Sequence, residues 1–175
     1  MSSFLIIYSS TNGHTKRICE RIKSFLKEGS LVKLVSLKEV EKIDLFNFEK
    51  IIIGASIRYG RHSQELYNFV NSNKDILNQK ESAFFSVNVV ARKLEKNTAA
   101  TNPYIKKFLK ISDWKPKKIK VFAGKVDYPN YNFLDKHIIR FIMYITNGPT
   151  DITQTYEFTD WSKVDDFTKE LKNST

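Results

Sequence analysis

The sequence predicts an α/β protein with a doubly wound, five-stranded parallel sheet in the spatial order 2-1-3-4-5. Short apolar runs alternate along the chain with stretches of helical periodicity, a pattern typical of β-α-β units. The third and fourth runs, at 51–53 and 83–87, are rich in β-branched and aromatic residues, which favours central strands buried on both faces. Sheets of this order bind ligands at the carboxyl ends of strands 1 and 3.

Each strand is expected where an apolar run lies between turn residues, and each helix where apolar residues recur every three to four positions. Pro103 suits a first helical position, and Asp160 is the expected N-cap of the last helix. An extra amphipathic helix is expected after strand 5. The chain of 175 residues is predicted to form one domain, 1–175, with a helical insertion at about 127–150. The predicted strands cover 4–8, 31–36, 50–54, 82–87 and 119–126, and the predicted helices cover 15–28, 64–71, 102–111 and 161–173.

Composition limits the kind of protein and its compartment. The single cysteine, Cys19, excludes an internal disulfide and is expected to be a buried residue of the first helix. No cluster of Cys and His predicts a metal site. The amino terminus has no positively charged leader, and no apolar run reaches the roughly 18 residues of a membrane span. We therefore expect a protein that stays inside the cell.

Positive charge is concentrated in one part of the chain. The formal net charge is +10, and residues 92–120 contain ten basic residues against two acidic ones. This concentration favours an anionic partner, which could be a nucleic acid, an anionic bilayer or an acidic small molecule. A solvated basic helix face is the simpler alternative.

A hydroxyl-rich turn joins the first strand to the first helix. Backbone N–H groups at a helix N-terminus hold phosphates together with Ser and Thr hydroxyls, and Gly13 allows the sharp bend. The turn lacks the spacing of nucleoside triphosphate and dinucleotide loops, which leaves a mononucleotide phosphate as the simplest ligand. A capped helix start is the alternative. The residues expected at the phosphate are Ser10, Thr11, Asn12, Gly13, His14 and Thr15.

Two further loops should lie beside this turn, because parallel strands end at the same edge of the sheet. The loop after strand 3 offers small residues and an aromatic side chain that suit a flat ring, although a plain tight loop could have the same sequence. The loop after strand 4 is apolar with one amide side chain, which suits covering a heteroaromatic ring and bonding its edge. The residues expected around the ring are Ser56, Ile57, Arg58, Tyr59, Gly60, Ser86, Val87, Asn88, Val89, Val90 and Ala91.

Three segments carry a family resemblance that extends over nearly the whole chain. They are residues 53–60 (IGASIRYG), 83–93 (AFFSVNVVARK) and 159–161 (TDW), and they accompany the Ser-x-x-x-Gly-x-Thr pattern of the first turn. In these segments the chain resembles the flavodoxin-like, menaquinone-dependent protoporphyrinogen IX dehydrogenases of bacteria, which are FMN-dependent.

The resemblance implies a flavodoxin-like fold, one FMN and a reaction of haem biosynthesis. The FMN phosphate would lie on residues 10–15 and its ring between residues 56–60 and 86–91, with a contribution from 148–152. The implied activity is oxidation of protoporphyrinogen IX to protoporphyrin IX, with electrons passed to menaquinone or another respiratory quinone.

No general base is predicted, and three side chains are candidates for a role in the reaction. Arg58 and Arg92 lie in the ring-side loops and could steer a propionate of the substrate or the negative charge of the reduced ring. Structural ion pairing is the alternative for each. His62 could relay a proton, but a surface or helix-capping position is favoured.

The insertion at 127–150 contains a predicted helix at 133–145. Most of its side chains form a broad apolar arc, while Lys136, Arg140 and Tyr144 lie on a narrow stripe. At about 1.5 Å per residue the helix is too short to cross a bilayer. It could instead lie in the bilayer interface; a buried helix or a dimer contact is the alternative.

Aromatic and basic neighbours favour the membrane interpretation of this helix. Tyr128, Tyr131 and Trp114 are expected to flank it at the interface, and the basic segment 92–120 is expected to act on the same surface. We therefore expect a peripheral protein at the cytoplasmic face of the inner membrane, bound through residues 128–146 and 92–120.

Other functions share parts of this pattern. A flavodoxin-type electron carrier would have the same fold and FMN, but such carriers are typically acidic where they dock, and this chain is basic. An NAD(P)H-quinone reductase would share the FMN site. Nucleic acid is not an expected partner, because no recognised binding motif accompanies the basic segment.

Overall fold

A fully parallel, five-stranded sheet forms the centre of the molecule. The computed structural model describes residues 2–174. The strands lie in the order β2-β1-β3-β4-β5, which confirms the predicted order. Their bounds are β1 Ser3–Ser9, β2 Leu31–Ser36, β3 Lys50–Ser56, β4 Glu81–Asn88 and β5 Lys118–Ala123.

Helices cover both faces of this sheet. Their bounds are α1 His14–Leu26, α2 Gln64–Ser72, α3 Lys74–Gln79, α4 Pro103–Ile111, α5 Phe133–Ile145 and α6 Trp161–Lys172. α1 and α6 pack with Phe85 on one face, and α2 and α4 pack with Phe84 on the other. Adjacent residues of a strand point to opposite faces, so β4 is buried on both sides, as predicted. Cys19 is buried in α1, which confirms its predicted position.

The fifth strand ends earlier than the sequence indicates. The predicted strand at 119–126 is divided at Gly124, so that prediction is wrong beyond Ala123. Lys125–Asp127 forms β6, which pairs antiparallel with β7 (Thr155–Glu157) in a separate sheet. The apolar run continues beyond the end of β5 because Val126 belongs to a different hydrophobic cluster from the strand. Sequence periodicity cannot show which cluster an apolar residue joins.

The segment between β5 and α6 leaves the sheet at Gly124 and returns beside it at Phe158. The carbonyl oxygen of Gly124 accepts a hydrogen bond from the N–H of Phe158 at 3.0 Å. Within the segment, Val126, Tyr128 and Met143 form a small core of their own, distinct from the two clusters on the sheet faces. The insertion therefore has its own packing.

α3 was not predicted. α2 ends at Ser72, and the Asn73 side chain donates a hydrogen bond to the carbonyl oxygen of Phe69 at 2.8 Å. Asparagine disfavours a helix interior because its amide competes for backbone groups in this way. α3 itself, at six residues, is too short to show helical periodicity.

Gly54 lies within β3, where the sequence places the end of the strand. A Cβ at this position would lie 2.2 Å from the Cζ of Phe85 on β4. The absence of a side chain lets the Phe85 ring lie across β3 and pack edge-on against Phe122 and Phe167. Gly54 thus serves the packing of the central strands.

Two of the three aromatic residues expected beside the insertion helix at a membrane, Trp114 and Tyr128, are buried instead. Trp114 packs edge-on against Phe84, and its Nε1 donates to Ser82 Oγ at 3.2 Å. Tyr128 is also fully buried and donates its hydroxyl proton to the carbonyl oxygen of Pro149 at 2.8 Å. The prediction that they lie at a bilayer interface is therefore wrong, because both rings bury their area and satisfy their polar atoms internally.

The basic segment 92–120 does not form one surface with the insertion. Lys93 follows the carboxyl end of β4, whereas Lys118 starts β5 at the opposite edge of the sheet. Lys117 is paired with Glu81 at 2.6 Å. The expectation of a single basic surface beside the helix is wrong, because parallel strands begin and end at opposite edges.

α5 is the helix of the predicted insertion. It is 13 residues long and starts after Asn132, whose Oδ1 accepts a hydrogen bond from the N–H of Asp135 at 2.8 Å. Met143 and Ile139 on its inner side pack in the small core, whereas Phe133 and Tyr144 are 80% and 73% exposed. No helix within residues 2–174 has both the length and the apolar character needed to cross a membrane.

Candidate functional site

The turn after β1 is a helix N-terminus suited to an anion. Gly13 has φ +81° and precedes α1, which no side chain of the described residues caps. The hydroxyl of Ser10 is buried and has no hydrogen-bond partner within residues 2–174. Free N–H groups and an unsatisfied buried hydroxyl are what a phosphate would complement. The other long helices have side-chain caps, at Ser63, Asn102, Asn132 and Asp160.

A crevice opens beside this turn, between the loops that follow β3 and β4. Its walls are apolar at Ile57, Val89 and Val90, which suits stacking against a heteroaromatic ring. Gly13, which shapes the turn, does not itself line the crevice. The predicted residues that line it are Ser10, Thr11, Asn12, His14, Thr15, Ser56, Ile57, Arg58, Tyr59, Gly60, Val87, Asn88, Val89 and Val90.

The sequence missed one whole wall of the crevice. α5 contributes Ile138, Ile139, Ile142 and Met143, and Gly124 adds the connection between β5 and β6. The 3.6-residue period identifies an apolar face but not the surface that it covers. The inner face of α5 therefore closes the crevice, a role that the sequence analysis did not predict.

Asp135 joins α5 to the loop after β3. Arg58 Nη2 donates to Asp135 Oδ2 at 3.1 Å, and the Tyr59 hydroxyl donates to the other oxygen of the same carboxylate. Tyr59 has φ +49°, which is uncommon for a residue other than glycine. The hydrogen bond with Tyr59, first among several causes, raises the pKa of Arg58 above its ordinary value. Arg58 thus lines the crevice while holding α5 in place.

Arg92 joins the other end of α5 to the loop after β4. Its Nη1 donates to the carbonyl oxygen of Val89 at 3.1 Å, and its Nη2 donates to the carbonyl oxygen of Thr146 at 2.8 Å. Burial lowers the pKa of Arg92. Arg92 lies outside the crevice lining, as do residues 148–152; a Cβ at Gly148 would lie 2.8 Å from Arg92 Nη2. The geometry makes Arg92 a positioning residue, and its role towards a propionate stays a prediction.

His62 lies in the interior, so the favoured surface or helix-capping position is wrong. It is 2% exposed, and its Nε2 lies 3.0 Å from Ser86 Oγ. Burial, with a smaller effect of the Lys107 charge, lowers the pKa of His62 to about 4. The imidazole is therefore neutral at pH 7 and can accept the Ser86 hydroxyl proton.

The contact between His62 and Ser86 continues into the loop after β4. Asn88 Nδ2 donates to Ser86 Oγ at 3.2 Å. Asn88 Oδ1 accepts from the N–H of Ala91 and from Asn102 Nδ2, each at 3.1 Å. The Asn88 amide, expected at the edge of a ring, turns inward to hold the loop. Ser86 and Ala91, which do not line the crevice, support its wall from behind.

His14 connects the phosphate turn to α6. Thr159 Oγ1 donates to the carbonyl oxygen of Ala123 at 2.7 Å, so His14 Nε2, at 2.6 Å from the same oxygen, is the donor to it. Burial, before any charge effect, lowers the pKa of His14. Its side chain positions the start of α1. No group of three metal-ligating side chains occurs in the described part of the chain.

A family model described as a flavodoxin domain matches residues 5–153. The chain belongs to this flavodoxin-domain family. A curated relative from Leishmania major, named "Protoporphyrinogen IX dehydrogenase [quinone]", is 45% identical over 169 residues, which are 95% of this chain and 73% of that protein. A relative of the same name from Escherichia coli K12 is 39% identical over 172 residues, which are 98% of this chain and 95% of that protein.

A solved flavodoxin has the same fold. Oxidised flavodoxin 1 from Bacillus cereus is similar with a TM-score of 0.56 at 16% identity, covering 99% of this chain and 100% of that chain. At this identity the likeness concerns the fold alone, and it confirms the flavodoxin-like architecture predicted from the sequence.

Proposed function

We propose that this chain is an FMN-dependent protoporphyrinogen IX dehydrogenase that passes electrons to menaquinone or another quinone. Relatives that bear this enzyme's name are 39% to 45% identical over nearly the whole chain. The structural observation that carries the proposal is the crevice, which joins an anion-binding turn to an apolar slot beneath α5.

The chain's own groups fit FMN. Ser10 Oγ and the N–H groups at the start of α1 would hold the phosphate, since no other partner within residues 2–174 engages that hydroxyl. Ile57 and Val89 would border the ring from the two loops. Bound there, FMN supplies the capacity to take up the two electrons of each oxidation step. The apolar α5 wall would shield the ring from solvent on that side.

α5 also distinguishes this proposal from an electron carrier. A carrier needs an exposed cofactor edge and a polar docking surface, whereas α5 places Ile138, Ile142 and Met143 over the crevice. An apolar cover suits a flat, poorly soluble macrocycle and a lipid-soluble quinone. The enzyme would therefore bind both reactants beneath or beside α5.

The outer face of α5 supports peripheral attachment to the cytoplasmic face of an anionic membrane. Phe133, Leu134 and Phe141 are well exposed, and Lys136 and Arg140 lie on the same helix. Short helices with exposed apolar side chains and basic residues insert into the headgroup region. There the enzyme would meet a quinone acceptor.

Purified protein tests the redox assignment directly. We expect a visible flavin absorption band that bleaches when protoporphyrinogen IX is added without oxygen and returns when a menaquinone analogue is added. Fluorescent protoporphyrin IX should accumulate at the same time. Bleaching by NAD(P)H alone would favour a reductase, and bound FMN without porphyrin formation would favour a carrier.

Flotation with vesicles tests the attachment. Wild-type protein should bind vesicles containing phosphatidylglycerol more tightly than neutral ones, and Phe133→Ser with Phe141→Ser should weaken binding by about tenfold, because two large apolar side chains no longer insert. Phe46→Ser is the matched control, since Phe46 is 71% exposed and lies outside the insertion. Equal losses in both variants would contradict attachment through α5.

A further inference from the structure

A second cavity lies behind the crevice, on the face of the sheet that α2 and α4 cover. Its volume is about 430 Å³, and α2 and α4 line it together with the ends of β1 and β3. It shares Thr11, Ser56, Arg58 and Tyr59 with the crevice, so these residues separate the two spaces. The two spaces therefore adjoin along these side chains.

Positive groups surround this cavity. Arg58, Arg61 and Lys107 line it, and no Asp or Glu of the described chain does. Arg58 is paired with Asp135, but neither Arg61 nor Lys107 lies within 4.0 Å of a carboxylate in residues 2–174. Two cations that face a cavity without a counter-charge favour an anion there.

Tyr67 supplies an independent indication of a ligand. The residue is 5% exposed and lines the cavity, yet its buried hydroxyl has no hydrogen-bond partner in the described chain. Its ring is fixed by stacking on Phe108, with ring centroids 5.8 Å apart. A buried hydroxyl without a partner is costly, and an oxygen atom in the cavity would satisfy it.

The N-terminus of α2 adds backbone donors. Ser63 Oγ accepts the N–H of Leu66 at 3.2 Å, which leaves the N–H groups of Gln64 and Glu65 without this cap. Ser63 and Gln64 line the cavity. The positive end of this nine-residue helix therefore faces the same space as the two cations and the tyrosine hydroxyl.

We propose that this cavity binds a carboxylate, contributed by one propionate arm of the tetrapyrrole while its macrocycle lies in the crevice. The identity of the arm rests on the proposed function, whereas the anion site itself does not. Lys107 and Arg61 neutralise the carboxylate, and Tyr67 donates its hydroxyl proton to it. A free inorganic phosphate or a free carboxylic acid has the same recognition chemistry, and the two experiments below separate these sources.

The first experiment measures anion binding without turnover. Protein loaded with FMN and labelled with nitrogen-15 is titrated with inorganic phosphate and, separately, with propionate. We expect amide signals of residues 63–67 to shift, the shift to be lost in Lys107→Gln and weakened in Tyr67→Phe, and to persist in Lys106→Gln, an exposed neighbour on α4 outside the cavity. Tyr67→Phe should fold as well as wild type, because it removes an unsatisfied hydroxyl. Absence of any shift in wild type would overturn the site.

The second experiment compares protoporphyrinogen IX with its dimethyl ester. For the free acid, Lys107→Gln should raise KM about fivefold with kcat unchanged, since a charged contact made equally in ground and transition states is lost. For the ester the variant should match wild type. An unchanged KM for the free acid, with amide shifts intact, would assign the cavity to a free anion and overturn the propionate arm. No turnover by wild type, with shifts intact, would refute the proposed function but leave the anion site standing.

Discussion

The buried imidazole of His62 should make the free energy of unfolding depend on pH in the acid range. In the folded chain its pKa is lowered to about 4 from 6.5, mainly by burial. The unfolded chain therefore binds more protons between these two values, and the contribution to stability is complete above pH 6.5 and declines as the pH falls towards 4.

His62→Gln should remove this pH dependence. Glutamine does not titrate, and its amide can still bond to Ser86. Wild type should lose up to about 3 kcal/mol more than the variant between pH 7 and pH 4, measured by urea unfolding. His14, whose pKa is also lowered, acts in both proteins and cancels in the comparison. Parallel stability curves for wild type and variant would show that His62 is not the group responsible.

Ser10→Ala should have opposite effects on ligand binding and on the free protein. FMN affinity should fall about tenfold, because one hydrogen bond to a charged phosphate is lost. The free energy of unfolding without FMN should stay the same or rise, because the buried hydroxyl has no partner within residues 2–174. Fluorescence titration with FMN and thermal melts measure the two quantities.

The matched control for Ser10→Ala is Ser24→Ala, an exposed serine of α1 that does not line the crevice. It should leave FMN affinity unchanged. A loss of affinity in Ser24→Ala equal to that in Ser10→Ala would point to a general effect on α1 and contradict a phosphate contact.

Among the elements, β3 and β4 depend on a missing side chain. Gly54→Ala should destabilise the protein by about 2–3 kcal/mol or more, since the new Cβ would overlap the Phe85 ring. Chemical denaturation measures the loss. In Gly54→Ala with Phe85→Leu the cost should be smaller than the sum of the two single changes, because leucine frees the space. Additive costs would show that the ring is not the obstacle.

The connection between α5 and the loop after β3 should control cofactor release. Asp135→Ala removes the acceptor shared by Arg58 and Tyr59, so FMN should dissociate about fivefold faster from a crevice whose wall is less well held. Stopped-flow fluorescence measures the rate. Asp151→Ala is the control, because Asp151 bonds only within a turn beyond α5. Equal rates of FMN dissociation from the two variants would exclude a role of the Asp135 contact.

For the whole molecule, the alternation of apolar runs was sufficient to predict the sheet and its order. Buried parallel strands are continuous apolar runs, and five of them with interleaved helices leave few arrangements. The prediction failed at Gly124, where one apolar run serves two cores, and at Trp114, whose burial depends on contacts with distant strands. Such failures arise where partners are far apart in the sequence.

The candidate site also has parts that the sequence could predict and parts that it could not. The turn at Ser10 and the two ring-side loops could be predicted, because each directly follows a strand and parallel strands end at one edge. The α5 wall could not be, because it reaches the crevice from a remote segment. Nor could the burial of His62, which requires Ser86 on a neighbouring strand.

Removal of the insertion tests whether the sheet depends on it. Replacing residues 125–157 by a short Gly-Ser link should leave a protein that unfolds cooperatively, since Gly124 and Phe158 are already hydrogen-bonded neighbours. It should bind FMN more weakly and no longer float with vesicles. Circular dichroism melts, FMN titration and flotation measure these effects, and a chain that fails to fold would contradict an independent insertion.

The hydrogen bond between Gly124 and Phe158 joins the two ends of segment 125–157, which contains α5 and covers the crevice. Because both ends of this segment meet at that hydrogen bond, its length and composition can change while the five strands keep their positions. A segment from another protein, inserted between Gly124 and Phe158, would place different side chains over the crevice. This point of the chain is therefore a practical site at which to change substrate specificity.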